Sequence, residues 1–176
     1  MRLLVIILLV GLVSCKEAPK EQPIADVKED AIQNEIALDS LEIYNFDGIE
    51  KFLTTTDDKV YVVNFWATWC APCIKELPYF EQLNKNYENE LDVILISLDF
   101  PKNYDSKLKP FILKHQLQSK VMALNDPDAN TWIPKVDESW SGAIPATLIF
   151  NKDKRQFYEQ TFTYDELETE VKQFIK

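Results

Sequence analysis

Glycine is almost missing from this chain of 176 residues, which has only Gly11, Gly48 and Gly142. A cradle for the phosphates of a nucleotide needs several glycines close together, so that the backbone can approach the ligand; bound NAD, FAD or ATP is not expected, and no cofactor is. Histidine is scarcer still. His115 is the one copy, and a Ser-His-Asp or Cys-His unit would have to use it. It falls on a helical pattern well past the cysteines, with nothing to place it by a nucleophile, and reads as a packing residue. Cysteine occurs three times, at Cys15, Cys70 and Cys73. A zinc site would need Cys15 and His115 to complete it, with no second C-x-x-C pair to draw on, so no metal site is expected. Positive charge is also short: 19 Lys and Arg against 29 Asp and Glu leave a formal net charge of −10. Nucleic-acid affinity comes largely from Lys and Arg on phosphates, which makes nucleic acid an unsuitable partner.

What the chain does have is Trp69-Cys70-Ala71-Pro72-Cys73. Two cysteines at this spacing pass between dithiol and disulfide without large chain movement. The preceding run, Val60-Tyr61-Val62-Val63-Asn64-Phe65-Trp66, is β-branched and aromatic throughout and reads as a buried strand. After it, Leu77, Phe80, Leu83 and Tyr87 recur at intervals of three and four, which lays them on one helical face. The pair therefore lies where a strand ends and a helix begins. There, unpaired backbone N–H groups and the positive end of the helix dipole favour thiolate over thiol. Cys70, being first, is expected at the helix tip as the attacking sulfur. A purely structural disulfide here would close a very short loop and constrain the unfolded chain little, so exchange is the better reading.

The stretch from Val62 to Cys73 resembles the active-site signature of the thioredoxin superfamily, and most of all its extracytoplasmic TlpA/ResA-like branch. Pro78, five residues after Cys73, stands where that family's active-site helix carries a proline; the missing N–H bends the helix. Gly142-Ala143-Ile144-Pro145-Ala146-Thr147 is similar to the family's cis-proline loop, which packs against the cysteine pair. The resemblance implies that a partner chain is contacted by Trp69, by Ala71 and Pro72 between the cysteines, and by the backbone at Ile144 and Pro145. Asn64 stands where cytoplasmic thioredoxins have a buried aspartate. An amide cannot do acid–base work. Glu76 lies three residues after Cys73, one turn along the same helix. From spacing alone it is a first-turn carboxylate favoured by the helix dipole, a solvated charge, or a group whose pKa is tuned beside a thiol. The resemblance implies the last, with Glu76 handling the proton of the cysteines.

The chain opens with Met1-Arg2 and an apolar run from Leu3 to Val13, followed by Ser14-Cys15. That run is shorter than the roughly 20 residues a membrane-spanning helix needs and fits a signal-peptide core. Leu12-Val13-Ser14-Cys15 resembles a bacterial lipobox, which implies cleavage before Cys15 and a lipid on its sulfur; an uncleaved signal anchor is the alternative. Residues 1–14 are thus expected to be a lipoprotein signal peptide. Residues 15–37, rich in Lys, Glu, Gln and Pro, are expected to be a lipidated start and flexible tether with a reach of about 25 Å. Residues 38–176 are expected to be the thioredoxin-like domain. Either reading of the leader places the domain outside the cytoplasm, membrane-anchored and facing the periplasm. With Cys15 given to lipid, Cys70 and Cys73 are the remaining thiols, and a lone C-x-x-C in an oxidising compartment is more readily an exchanging pair than a store.

Further elements follow from pattern. Strands are expected over Leu41–Phe46, Leu91–Leu98, Val121–Leu124, Ala146–Phe150 and Gln156–Thr161, the last two joined by the turn at 151–154. Helices are expected over Asp47–Leu53, Tyr104–His115 with Pro110 inside it, and Thr163–Lys176, where Thr163 and Glu166 suit a capping box. Alternating strands and helices with a final hairpin give an α/β fold with a central mixed sheet flanked by helices. The resemblance makes this thioredoxin-like, with the helix-and-strand insertion after the third strand shared by TlpA/ResA-like proteins and peroxiredoxins. Trp132 and Trp140 either line a groove beside Pro145 or pack in the core. Asp126, Asp128, Asp137 and Glu138 lack the glycine and terminal glutamate of a calcium loop and read as solvated charges.

The expected activity is thiol-disulfide exchange: reduction of partner disulfides by a Cys70–Cys73 cycle, with a membrane-bound electron donor and a role in cytochrome c maturation or thiol repair implied by the resemblance. A monomer is expected. Two rivals remain. A peroxiredoxin-like peroxidase shares the insertion but not the proline–threonine–cysteine pattern, and a Cu(I) carrier would use the two soft thiolates without the wider spacing and distal histidine of such carriers.

Overall fold

The computed structural model describes residues 41–55 and 57–175. The expected leader, the lipidation site at Cys15 and the tether lie outside the described residues. The elements are β1 (Glu42–Tyr44), α1 (Phe46–Ile49), β2 (Val60–Trp66), α2 (Ala71–Asn86), β3 (Leu91–Ser97), a π-turn (Tyr104–Leu108) leading into α3 (Lys109–Lys114), β4 (Lys120–Leu124), α4 (Ala129–Val136), β5 (Ala146–Phe150), β6 (Arg155–Tyr158) and α5 (Tyr164–Lys172). The six strands form one sheet in the order β1-β4-β3-β2-β5-β6. β1, β4, β3 and β2 run parallel, while β5 and β6 add as antiparallel strands. This is an α/β thioredoxin-like fold, with a helix and a strand, α3 and β4, following β3.

Strand alternation divides the interior in two. From β2, Val62 and Trp66 enter a first core with Leu77, Phe80 and Leu83 of α2, Leu108 beside α3, and Leu167 and Val171 of α5. Val63 and Phe65 point the other way, into a second core with Phe46 and Ile49 of α1 and Trp132 and Val136 of α4. A strand buried on both faces has no polar side to show, which is why β2 and β3 read as continuous apolar runs.

Several elements depart from expectation for local reasons. Phe46 belongs to α1 and not to β1: the Asn45 side chain accepts the Gly48 N–H at 3.1 Å and starts a helical turn. Gly48 is needed there, since a Cβ would come within 2.8 Å of the Tyr44 ring. The expected helix over Asp47–Leu53 is α1 followed by a 3₁₀ turn at Glu50–Phe52. Pro110 falls in the first turn of α3, just where the ladder passes from π to α, so its missing N–H breaks no established helix. β6 stops at Tyr158 short of Thr161, and α5 ends at Lys172. The capping box forms: Thr163 N–H donates to Glu166 Oε2 at 2.8 Å, and Glu166 N–H to Thr163 Oγ1 at 3.4 Å. α4 was not anticipated, and it carries Trp132 into the second core beside Trp140, their rings 5.5 Å apart edge to face. Both tryptophans are 5 % exposed and so are core residues, not groove walls. Among the described residues no helix is long and apolar enough to cross a membrane.

Candidate active site

Three loops meet at one end of the sheet. The chain leaving β2 turns at once, with Cys70 N–H donating to the Ala67 carbonyl at 3.1 Å. Cys70 then caps α2 from extended backbone (φ −93°, ψ 98°), and its sulfur receives the Cys73 N–H at 3.3 Å. A free N–H in the first turn of a helix is therefore aimed at the Cys70 sulfur, where negative charge is best placed. Cys70 and Cys73 are joined as a disulfide, S–S 2.04 Å. Cys70 is 4 % exposed and Cys73 fully buried, so of the two sulfurs the first is the one within reach of solvent. Ala71 and Pro72 are exposed, and Trp69 stands out at 55 %.

The second loop is that of Ile144 and Pro145, whose peptide bond is cis. The Ile144 carbonyl oxygen lies 3.7 Å from Cys70 Sγ. Ile144 is half-buried and Pro145 buried. This loop is held firmly from behind. Trp140 Nε1 donates to the Ala143 carbonyl at 2.8 Å, and both the N–H and the hydroxyl of Ser141 donate to Glu159. Those donors, the Ser141 hydroxyl first, hold the Glu159 carboxyl below the usual carboxylate range. Gly142 adopts φ +91°, a backbone that other residues rarely take.

Glu76 is 1 % exposed, so it is a buried acid and not a solvated charge. Asn64 Nδ2 donates to its Oε1 at 3.1 Å and the Phe162 N–H to its Oε2 at 2.8 Å. Burial raises its pKa from 4.5 to about 7, against the pull of the Phe162 N–H and the Asn64 amide. Asn64 also donates to Thr147 Oγ1 at 3.1 Å, which ties α2, β2, β5 and the start of α5 into one buried network. Among the described residues no hydrogen bond joins Glu76 to a sulfur; the two share a helix turn and a core.

The third loop follows β3 and was not singled out from sequence. Asp99, 2 % exposed, accepts the Thr68 N–H at 2.9 Å, the Thr68 hydroxyl at 2.6 Å and the Ser97 hydroxyl at 2.9 Å. It latches the segment just before Trp69 and Cys70 to the end of β3. The available signal was its position, since ligands of open α/β sheets gather beyond the carboxyl ends of parallel strands. His115, by contrast, ends α3 on the surface, its ring stacked on Phe111 at 4.0 Å. Three of the acidic residues of 126–138 serve turns: Asp126 accepts the N–H groups of Phe46 and Asp128, Asp128 the Thr131 hydroxyl, and Asp137 the N–H and hydroxyl of Ser139.

The model of the AhpC/TSA family matches residues 32–155. Among named relatives, the thioredoxin-like protein YneN of Bacillus subtilis is 27 % identical over 95 residues, 54 % of this chain and 56 % of its own length. The thiol-disulfide oxidoreductase ResA of Bacillus cereus is 30 % identical over 112 residues, 63 % of this chain and 60 % of its own. The chain thus spans less than two thirds of the length of these curated relatives. In fold it is similar to a thiol:disulfide interchange protein of the thioredoxin family from Chlorobium tepidum, with a TM-score of 0.56 and 21 % identity over 68 % of this chain and 81 % of that one.

Proposed function

The chain belongs to the AhpC/TSA family, in the TlpA/ResA-like part of the thioredoxin superfamily, and from that premise we propose that it is a thiol-disulfide oxidoreductase that reduces disulfides in partner proteins. The observation that carries this reading is the asymmetry of the pair: one sulfur at the helix tip under a donated N–H, the other fully buried. In the reduced protein the Cys70 thiolate attacks one sulfur of the partner's disulfide. That S–S bond breaks, a Cys70–partner bond forms, and the released partner thiolate takes up a proton. Cys73, once deprotonated, attacks Cys70 and frees the second partner thiol. Two electrons have then passed from the dithiol to the partner, and the Cys70–Cys73 disulfide remains. Glu76, a buried carboxyl with a pKa of about 7, can hold or release a proton in the same core as Cys73. Trp69, Ala71, Pro72 and Ile144 form the face that receives the partner, and the buried Pro145 sets the course of the Ile144 backbone from behind.

The rest of the reading concerns place and supply. The lipobox-like segment ending at Cys15 supports an extracytoplasmic protein held to its membrane by lipid; recharging by a membrane-bound electron donor and a role in cytochrome c maturation or thiol repair rest on the TlpA/ResA-like resemblance alone. Replacing Cys70 with serine is expected to abolish exchange, while Cys73→Ser is expected to accumulate a mixed disulfide; full activity in the Cys70→Ser protein would overturn the mechanism. Direction is tested by equilibrating the pair in dithiothreitol or glutathione buffers. A potential near the roughly −270 mV of thioredoxin supports a reductant, and one near the roughly −120 mV of DsbA an oxidant. The family match favours one second reading, a peroxidase, which rapid peroxide consumption by the reduced protein would establish in place of the first.

A further inference from the structure

The outer side of α2 is open, away from the rim where the cysteines meet a partner. A groove of about 580 Å³ runs beside the helix from Ile74 and Pro78 to Lys85 and Glu88, and its opposite wall is Phe111 of α3 with the loop at 115–118. Ile74, Phe111 and Leu117 are only half-buried there, and Pro78 is exposed. Apolar surface gathered in one groove and rimmed by polar residues marks a place that another segment covers. Lys85, at its edge, makes no ion pair among the described residues.

Strand register brings the start of the described chain to this groove. β1 pairs with β4 in parallel, Glu42 beside Met122. Followed backwards from Met122, β4 leads through Lys120 to Gln118 and Leu117, which line the groove, and β1 followed backwards points the same way. Leu41 is half-buried and packs on the first core, as do Leu117 and Phe111. The sequence changes character a short way upstream. Residues 16–30 carry eight charged side chains in fifteen, whereas 31–38 carry Glu35 alone, beside Ile32, Ile36 and Leu38. The AhpC/TSA match also begins at residue 32, inside that apolar stretch. Eight extended residues span about 26–29 Å, against about 24 Å for the sixteen residues of α2, so the stretch is long enough to line the groove from its 115–118 end.

We propose that the groove between α2 and α3 is the docking site of this chain's own residues 31–38, with Ile32, Ile36 and Leu38 covering its apolar wall and Glu35 the partner of Lys85. A second copy of the chain could cover the same wall, but it would compete with a segment held only a few residues from its site, where short linkers give effective concentrations in the millimolar range. The length left free as a tether is then residues 16–30, and the chain is fastened along the active-site helix as well as at the edge strand. Such docking needs no thiol chemistry and stands apart from the exchange reading.

The test is nuclear magnetic resonance of the whole protein with the cysteines oxidised. Backbone order parameters over 31–38 are expected near the rigid value of about 0.85, and those over 16–30 below about 0.6. Methyl groups of Ile32, Ile36 or Leu38 are expected to show through-space contacts to the Phe111 ring. Placing aspartate at both Ile36 and Leu38 is expected to drop 31–38 below about 0.6 and to shift the Phe111 and Leu117 resonances, while Ile36→Leu is expected to leave both as they are. Tenfold dilution is expected to change nothing. A mobile 31–38 in wild type would overturn the docking, as would an ordered 31–38 without contact to Phe111 or Leu117. Order that is lost on dilution would also overturn it, and would give the groove to a second copy. Each of these outcomes leaves the exchange mechanism standing.

Discussion

The two cores on either side of the sheet are both tightly buried, yet they are built from different material. The second core is apolar and aromatic: Phe46 stacks on Trp132 at 6.2 Å, Trp140 packs on Phe65 at 4.8 Å, and the rings fill the space under α1 and α4. The first core holds the polar groups. Asn64, Ser97 and Thr147 project from β2, β3 and β5 on that side, Glu76 enters from α2, and Asp99 joins Ser97 at the rim. Burying such groups costs free energy unless each finds a partner, and here the partners are mostly one another. The contrast teaches where this fold accepts a cost: beside the cysteines, with the opposite face kept apolar to offset it.

The largest expected effect breaks the apolar side. Trp140→Ala removes a buried ring from the second core and the donor to the Ala143 carbonyl, and should cost about 3–5 kcal/mol, lowering Tm by roughly 10 °C. Calorimetry checks the stability loss. If the second core only supports the site, the potential of the cysteine pair should move little in the same variant.

The polar side is expected to reveal itself through pH. The Glu76 carboxyl titrates near 4.5 when unfolded and at about 7 when folded. Between those values the folded protein keeps a proton that the unfolded chain has released. Its contribution is therefore full below about pH 4.5, is lost as pH rises through the interval, and is gone above about pH 7. At about 1.36 kcal/mol per pKa unit the whole span is on the order of 3 kcal/mol. Denaturant unfolding between pH 5 and 8 should show most of this fall in wild type and little of it in Glu76→Gln. An unchanged slope in the variant would assign the titration to another group.

The apolar side was also the part of the fold least visible from sequence. β2, β3 and β5 were legible because strands buried on both faces are apolar runs, and α2 because Leu77, Phe80 and Leu83 keep helical spacing. α4 was not legible: Pro134 and the polar Asn130 and Thr131 break an eight-residue pattern that only packing completes. At the site, Cys70, Cys73, Glu76 and Pro145 could be picked out by local motif. The partners of Glu76 could not, because the Phe162 N–H comes from 86 residues away and a backbone group leaves no mark in the sequence. Asp99 was hidden for a similar reason. Nothing in Ser97-Leu98-Asp99-Phe100 announces that the carboxyl turns inward.

A smaller effect sharpens the contrast at the rim. Asp99→Asn keeps the shape but replaces one acceptor oxygen with an amide N–H, so the Thr68 hydroxyl must turn to accept and the bonds from Thr68 and Ser97 are expected to weaken. The expected cost is about 1–2 kcal/mol, read as a lower unfolding midpoint. If Asp99 acts as the latch, limited proteolysis should also find the 67–70 turn more open than in wild type.

The smallest effect is the most discriminating. Thr163→Ala removes the side-chain cap of α5, worth about 1 kcal/mol, while Thr163→Ser should keep it. Were the cap only a local device, the loss would be the same at every pH. Phe162 immediately precedes the cap, however, and its N–H is one of the two donors that restrain the Glu76 carboxyl at 2.8 Å. Loosening the start of α5 weakens that bond. The ionised form of Glu76 then loses support, its pKa rises further, and the pH interval over which stability is lost extends upward. The loss in Thr163→Ala should thus be larger at pH 8 than at pH 5, where the carboxyl is mostly protonated in either protein. An equal loss at both would confine the cap to its helix and show that the buried network ends at Glu76.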